Sequence, residues 1–274
     1  VNPRSGSSVF AFFVTASRHL LRVADGLILW CDSFFPGRAM HIPPIGEGFV
    51  LASGTRSLAA WQVSAEKPRG ALLLCHGIGD QKEYWRSAQQ YLQAQRITSV
   101  IFHYSGYAGS EGTTTPGNLE ADVRAAYTWL RDRTPPDLPV FVLGFSMGTG
   151  VLAEVAPTLQ PPPAGVILCQ AYTGFRQAAA RVVWPLTPLA RLMPDIWRTS
   201  SNVRLLRLPL LIVHGVSDPL FPVSMAEELH HSAVAAGVDA RLALIPGCSH
   251  NSVYRNVPPA YWAAILTFLH EQGA

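Results

Sequence analysis

Hydrophobic residues along this chain switch between two periods. Short unbroken apolar runs at Ala71 to Cys75, Val140 to Leu143, Gly165 to Cys169 and Leu210 to His214 have the pattern of strands buried on both faces of a parallel sheet. Strands are also predicted at Ser99 to Tyr104 and Arg241 to Ile245. Two more, Phe49 to Ala52 and Leu58 to Val63, lie around Ser-Gly-Thr-Arg-Ser and read as an antiparallel hairpin. Between these runs the spacing turns helical, over Glu83 to Gln95, Leu119 to Arg131, Ser224 to Ala236 and Pro259 to Leu269. Val151, Leu152, Val155 and Leu159 keep the same spacing until Pro161, Pro162 and Pro163 end it. Strands alternating with helices predict an α/β domain: a mainly parallel eight-stranded sheet with helices on both faces. In such sheets reactive groups collect at the carboxyl ends of the strands.

Two stretches break the alternation. Phe10, Phe13, Val14, Leu20, Leu21, Ala24, Leu27, Ile28 and Cys31 recur at helical spacing, but Arg18, His19, Arg22 and Asp25 interrupt them and argue against a transmembrane span. The favoured expectation is an amphipathic helix packed on the domain, in a cytoplasmic protein. The alternative is peripheral membrane contact through residues 9–31. Pro36, Gly37, Pro43, Pro44 and Gly46 then mark a linker, so residues 1–47 read as helix and linker and residues 48–274 as the main domain. The second stretch is an irregular excursion from Thr173 to Leu208, between the sixth and seventh strands.

Composition narrows the partners. With 274 residues, 49% of them hydrophobic and 14% charged, the chain suits one α/β domain with a sizeable core. A net charge of +3 without a basic run indicates no nucleic-acid partner. Cys31, Cys75, Cys169 and Cys248 form no C-x-x-C pair and no metal-ligand spacing with histidine, so no metal is expected. Cys75 and Cys169 read as small core residues. The chain starts at Val1 rather than Met, which leaves a lost targeting segment open.

The candidate chemistry centres on Gly144-Phe145-Ser146-Met147-Gly148. This G-x-S-x-G pattern sits between a predicted strand and a predicted helix, where a sharp turn would display Ser146 at the helix N-terminus and glycines two before and two after it would let backbone approach. A serine hydroxyl needs a base within hydrogen-bond reach and a third group to orient that base. Asp218, in Leu-Ile-Val-His-Gly-Val-Ser-Asp-Pro, and His250, in Ile-Pro-Gly-Cys-Ser-His-Asn, both follow strands, and the order Ser, Asp, His is the one associated with this turn. Asp before Pro is also a common turn residue. His76, His103, His214, His230 and His231 compete with His250, which alone follows the acid in a loop at the correct edge. For the oxyanion of a tetrahedral intermediate, the N–H of Met147 and that of Ile78, in His76-Gly77-Ile78-Gly79-Asp80, are the expected donors.

Together these segments resemble the serine-hydrolase branch of the α/β-hydrolase superfamily, nearest to its lysophospholipase, monoacylglycerol-lipase-like and serine aminopeptidase-like members. The likeness rests on His-Gly-Ile-Gly-Asp at 76–80, Ser-Gly-Tyr-Ala-Gly-Ser-Glu-Gly at 105–112, Gly-Phe-Ser-Met-Gly-Thr-Gly at 144–150, Pro-Leu-Leu-Ile-Val-His-Gly-Val-Ser-Asp at 209–218 and Gly-Cys-Ser-His at 247–250. It implies the α/β-hydrolase fold, a Ser146, Asp218, His250 triad, Ile78 and Met147 as oxyanion donors, an acyl-enzyme route and no cofactor. Where many relatives carry Asp-x-Arg-Gly, this chain has His103-Tyr104-Ser105-Gly106, which removes an internal ion pair rather than a catalytic group.

The resemblance also makes the 173–208 excursion a short lid. Its Phe175, Val182, Val183, Trp184, Leu186, Leu189, Leu192, Met193, Ile196 and Trp197 would line an acyl pocket, pack on the domain, or both. The leading expectation is a serine esterase or lipase acting on small to medium acyl esters or thioesters. An aminopeptidase or amidase with the same triad is the main rival, and would need a carboxylate such as Glu111 or Asp80 for the substrate's ammonium group. A non-catalytic binding protein on the same fold is the alternative of another class.

Overall fold

A computed structural model describes residues 46–80, 82–182, 194–255 and 257–274. The expected N-terminal helix, nearly all of the linker and the middle of the excursion lie outside these residues. The first two strands, β1 (Glu47–Ser53) and β2 (Arg56–Val63), form the predicted hairpin, with Ser53 paired to Arg56 and Gly54 turning at a φ of +61°. They join β3 (Gly70–Cys75), β4 (Ile97–Phe102), β5 (Val140–Phe145), β6 (Gly165–Cys169), β7 (Leu210–Gly215) and β8 (Ala240–Ile245) in one eight-stranded sheet, ordered β1-β2-β4-β3-β5-β6-β7-β8. β2 is antiparallel to β1 and β4, and every other neighbouring pair is parallel.

Side chains alternate across the sheet and feed two cores. Leu73, Cys75, Val142 and Leu168 face the layer of α2 (Pro116–Arg133), α3 (Met147–Val155) and α6 (Val223–Ala235), whose Leu119, Val151 and Leu229 are fully buried. Leu72, Leu74, Phe141 and Ile167 face α1 (Arg86–Ala94) and α7 (Pro259–Glu271), which contribute Leu92 and Trp262. Removing such unbroken apolar runs from water on both faces is the main force behind this layering.

Several boundaries move from their predicted places. β4 begins two residues earlier than expected, directly after Arg96, which turns the chain at a φ of +63°. His103 and Tyr104 thereby fall beyond the strand and into the loop above the sheet. α2 begins at Pro116, because Thr115 Oγ1 accepts from the Asn118 N–H at 3.2 Å and proline suits the first helical position. The first turn expected of α1 is instead a tight 3-10 turn, Lys82–Trp85.

The described flanks of the 173–208 excursion pack on the domain. α4 (Phe175–Val182) sets Phe175 edge-on to Trp197 at 5.3 Å, and a short helix α5 (Thr199–Asn202) follows. Trp197 is buried, and its Nε1 donates to Glu120 on α2 at 3.0 Å. Of the apolar positions named for the lid, Val183, Trp184, Leu186, Leu189, Leu192, Met193 and the side chain of Val182 lie outside the described residues.

An ion pair is present at the position where the sequence departs from Asp-x-Arg-Gly. Arg56 reaches over from β2, donating from Nε to Ser105 Oγ at 2.8 Å and pairing with the buried Asp122 of α2 at 3.1 Å. Asp122 also accepts from Ser53 Oγ at 2.7 Å and from the Ser105 N–H at 2.7 Å. The short Ser105 side chain leaves room for a guanidinium supplied by another strand. Arg56→Met, which strands a buried carboxylate, is expected to cost about 3 kcal/mol in urea unfolding. Adding Ser105→Arg should recover at least part of that loss, and no recovery would mean that the two positions do not share one ion-pair site.

Candidate active site

Ser146 stands between the last residue of β5 and the first of α3, with φ +50° and ψ −118°. A non-glycine residue held there costs about 1–3 kcal/mol, so the surroundings must enforce it. They do so by close approach. A Cβ on Gly148 would lie 2.3 Å from the Cys75 carbonyl oxygen, and one on Gly144 would lie 2.6 Å from that of Gly148. The Ser146 N–H donates to Cys169 O at 3.0 Å, fastening the turn to the end of β6.

The candidate acid and base are displayed by loops beyond β7 and β8. Asp218 Oδ1 accepts from the N–H groups of Leu220 (2.7 Å) and Phe221 (3.0 Å), and its Oδ2 lies 2.7 Å from His250 Nδ1. His250 Nε2 lies 3.0 Å from Ser146 Oγ. Burial pushes the Asp218 carboxyl up, but the hydrogen bond and charge of His250 and the two N–H groups outweigh it and hold it below its ordinary value. An ionised carboxylate can only accept, so Nδ1 carries the imidazole proton and Nε2 is left to accept from the serine hydroxyl. The rings of Phe145 and Phe221 flank His250, each with its centroid 5.2 Å away. Ser249 and Ser252 form a capping box around the single turn His250–Val253.

Four competing histidines are committed to backbone groups. His76 Nδ1 lies 2.7 Å from Gly77 O, and burial, helped by the charge of His103, lowers its pKa to about 3, so it stays neutral. His103 Nε2 accepts from the Lys82 N–H at 2.9 Å. His214 Nε2 lies 3.0 Å from Phe221 O and His230 Nε2 lies 3.1 Å from Ala240 O.

The loop after β3 runs beside the serine. A Cβ on Gly77 would lie 3.1 Å from both the Phe145 ring and Ser146 Cβ, and Gly79 turns the loop at a φ of +66°. Ile78 lies between them, half-buried. Met147 is the first residue of α3, where an N–H has no intrahelical acceptor. Asp80 Oδ2 accepts from the Gly77 N–H at 3.0 Å, and its Oδ1 accepts from Tyr254 OH at 3.1 Å. This carboxylate therefore ties the loop after β3 to the loop that carries His250. Tyr254 has no signal in the sequence that would place it here.

Sequence comparison agrees with this architecture. The family profile described as "alpha/beta hydrolase fold" matches residues 70–185. The chain is an α/β-hydrolase-fold protein. It is 29% identical over 244 residues to the uncharacterized protein Rv2307c of Mycobacterium tuberculosis, covering 84% of this chain and 85% of that one. It is 26% identical over 211 residues to the lysophosphatidylserine lipase ABHD12 of Xenopus tropicalis, covering 68% of this chain and 54% of that protein. Among solved structures, the Pyrococcus furiosus esterase Pf2001 superposes with a TM-score of 0.70 at 17% identity, over 84% of this chain and 92% of that one, a likeness of fold. Among the described residues no helix is long and apolar enough to cross a membrane.

Within this α/β-hydrolase fold Asp80 is the second buried carboxylate of the site, and its environment acts in the opposite sense to that of Asp218. Burial raises its pKa to about 6, against the hydrogen bonds from Gly77 and Tyr254. Asp80 thus binds its proton more tightly in the folded than in the unfolded chain. The contribution of Asp80 to stability therefore falls as pH rises from about 4 to about 6, by up to about 3 kcal/mol. Asp80→Asn keeps an acceptor for the Gly77 N–H and removes that loss, so its advantage over the parent in urea unfolding should be larger at pH 8 than at pH 4. An equal difference at both values would deny the shift.

Proposed function

We propose that the protein is a serine hydrolase of esterase or lipase type, cleaving small to medium acyl esters or thioesters through an acyl-enzyme on Ser146. The observation that carries this reading is the unbroken hydrogen-bond chain from Asp218 through His250 to Ser146 Oγ, at 2.7 and 3.0 Å. In this mechanism His250 Nε2 takes the Ser146 proton as Oγ attacks the acyl carbon. The carbonyl oxygen becomes an oxyanion and receives the N–H groups of Ile78 and Met147. Collapse of the intermediate breaks the acyl bond, and His250 passes its proton to the leaving alcohol or thiol. Water then repeats the sequence on the acyl-enzyme, again with His250 as base, and frees Ser146. Asp218 orients His250 and stabilises the imidazolium without itself taking the proton.

Ester substrates are favoured over aminoacyl ones by the use already made of the nearby carboxylates. Both oxygens of Asp80 hold protein groups, and Glu111 accepts from the Ser57 N–H at 2.9 Å, at the β2 end of the sheet. Asp80 is thus buried against protein donors, and Glu111 is held on the hairpin strand rather than on the loops that carry Ser146, Asp218 and His250. Apolar rings around His250 suit an acyl chain, and relatives bearing lipase and esterase names on the same fold point the same way.

Purified protein is expected to release p-nitrophenol from short acyl esters. Ser146→Ala should reduce turnover to background with an unchanged circular dichroism spectrum, and Asp218→Asn should lower kcat by about four orders of magnitude. Substantial turnover by Ser146→Ala would reject the assignment. A panel of acyl esters of increasing chain length, run beside aminoacyl amides, should show preference for the esters.

A further inference from the structure

Gln170 follows β6 and is fully buried, yet the proposed mechanism gives it no part. Its backbone takes the left-handed conformation, at a φ of +51°, which glycine or asparagine would occupy more readily. Its N–H still continues the sheet, donating to Val213 O at 3.0 Å. The side-chain amide makes two contacts with two different loops. Oε1 accepts from the Gly215 N–H at 2.7 Å, and Nε2 donates to Ser249 O at 2.9 Å. Gly215 lies three residues before Asp218, and Ser249 immediately precedes His250. The adjacent residue, Cys169, supplies the carbonyl that receives the Ser146 N–H. One dipeptide therefore touches the loops of all three groups in the hydrogen-bond chain.

Only an amide fits both contacts. A carboxylate would set oxygen against the Ser249 carbonyl, and a thioether of similar length would leave a buried N–H and a buried carbonyl without this partner. The acid and base loops also meet directly, through Ser217 N–H to Cys248 O at 2.9 Å and Val216 N–H to Ile245 O at 3.0 Å. Those bonds join the two loops to each other. Gln170 joins them to the end of β6, whose last carbonyl receives the Ser146 N–H.

We propose that Gln170 is a positioning residue: its amide bridges Gly215 and Ser249 and holds His250 in register with Ser146 and Asp218. This rests on the reading of those three residues as the reacting set. The contribution is to turnover rather than to ground-state binding, because a small displacement of a reacting group lowers the rate far more than substrate affinity.

The test measures kcat and KM of the full chain on p-nitrophenyl butyrate for Gln170→Met, which loses both contacts, and Gln170→Glu, which loses the donor alone. Val166→Ala, on the same strand but away from the loops, serves as a control of general loosening. Both Gln170 variants should lose about ten- to a hundredfold in kcat with KM within about twofold. The low-field proton resonance of the His250–Asp218 hydrogen bond should shift or broaden in them. Val166→Ala should lower Tm yet keep kcat within about twofold and leave that resonance in place. Parent-like kcat in either folded Gln170 variant would overturn the proposal, as would an equal loss in Val166→Ala. Should Gln170→Met fail to fold, Gln170→Glu decides alone. Ser146→Ala is run beside them: if it remained active, the assignment of the reacting set would fail, a result distinct from a failure of Gln170.

Discussion

The first turn of α3 rests directly on the backbone leaving β3. Gly148 passes so close to the Cys75 and His76 carbonyls that a methyl group there would lie 2.3 and 2.7 Å from their oxygens. This contact fixes where the helix can start, and with it the left-handed turn at Ser146. A side chain at Gly148 would lift α3 away from β3 and separate the N–H of Met147 from the loop carrying Ile78. The strain at Ser146 is tolerated because its flanks are clamped on both sides, by β3 through Gly148 and by β6 through the Cys169 carbonyl. The serine hydroxyl consequently stands between the loops of β3 and β8, with Gly77 on one side and the His250 imidazole on the other.

The buried carboxylates divide the electrostatics of the site. Asp218 is given an imidazole and two N–H groups, enough to hold it ionised despite burial. Asp80 is given one N–H and one phenol, and burial prevails. Environment alone sets the two apart, as in other sites where paired acids serve unlike roles. Asp218 is suited to hold an imidazolium near it at neutral pH. Asp80 is suited to join two loops and to respond to mild acid, and a positive charge on His250, as the proposed mechanism requires, would favour its ionised form.

Sheet and site were legible in the sequence to different depths. The parallel strands read plainly because burial on both faces demands unbroken apolar runs, and β3, β5, β6 and β7 carry them. The order of Ser146, Asp218 and His250 along the chain, each past a strand, singles them out as candidates, and the structure brings those three within hydrogen-bond distance. The start of α2 was also legible in Thr115-Pro116, a cap signal that the apolar periodicity alone overlooks. Other features had no such signature. Arg56 replaces an arginine expected some 50 positions away, and only the pairing of β2 with β4 brings it to Ser105. Asp80 enters the sequence reading only as one of two carboxylates that the rival aminopeptidase would need, because sequence does not show that Gly77 and Tyr254 already bond to its oxygens.

Gln170 marks the limit of such reading for a physical reason. A left-handed residue after a strand is ordinarily inferred from glycine or asparagine, and glutamine has no preference for that conformation. What selects it is the distance between two loops that are separated along the chain and adjacent only once β6, β7 and β8 lie side by side. Asp218 and His250, the proposed acid and base, are carried by loops, which the sheet orders only at their roots. Their precision must therefore come from polar contacts made beyond the strand ends, where side-chain length and donor type matter more than hydrophobicity. Apolar periodicity encodes the layers that bring such loops together. The hydrogen bonds that set their final spacing follow no period along the chain.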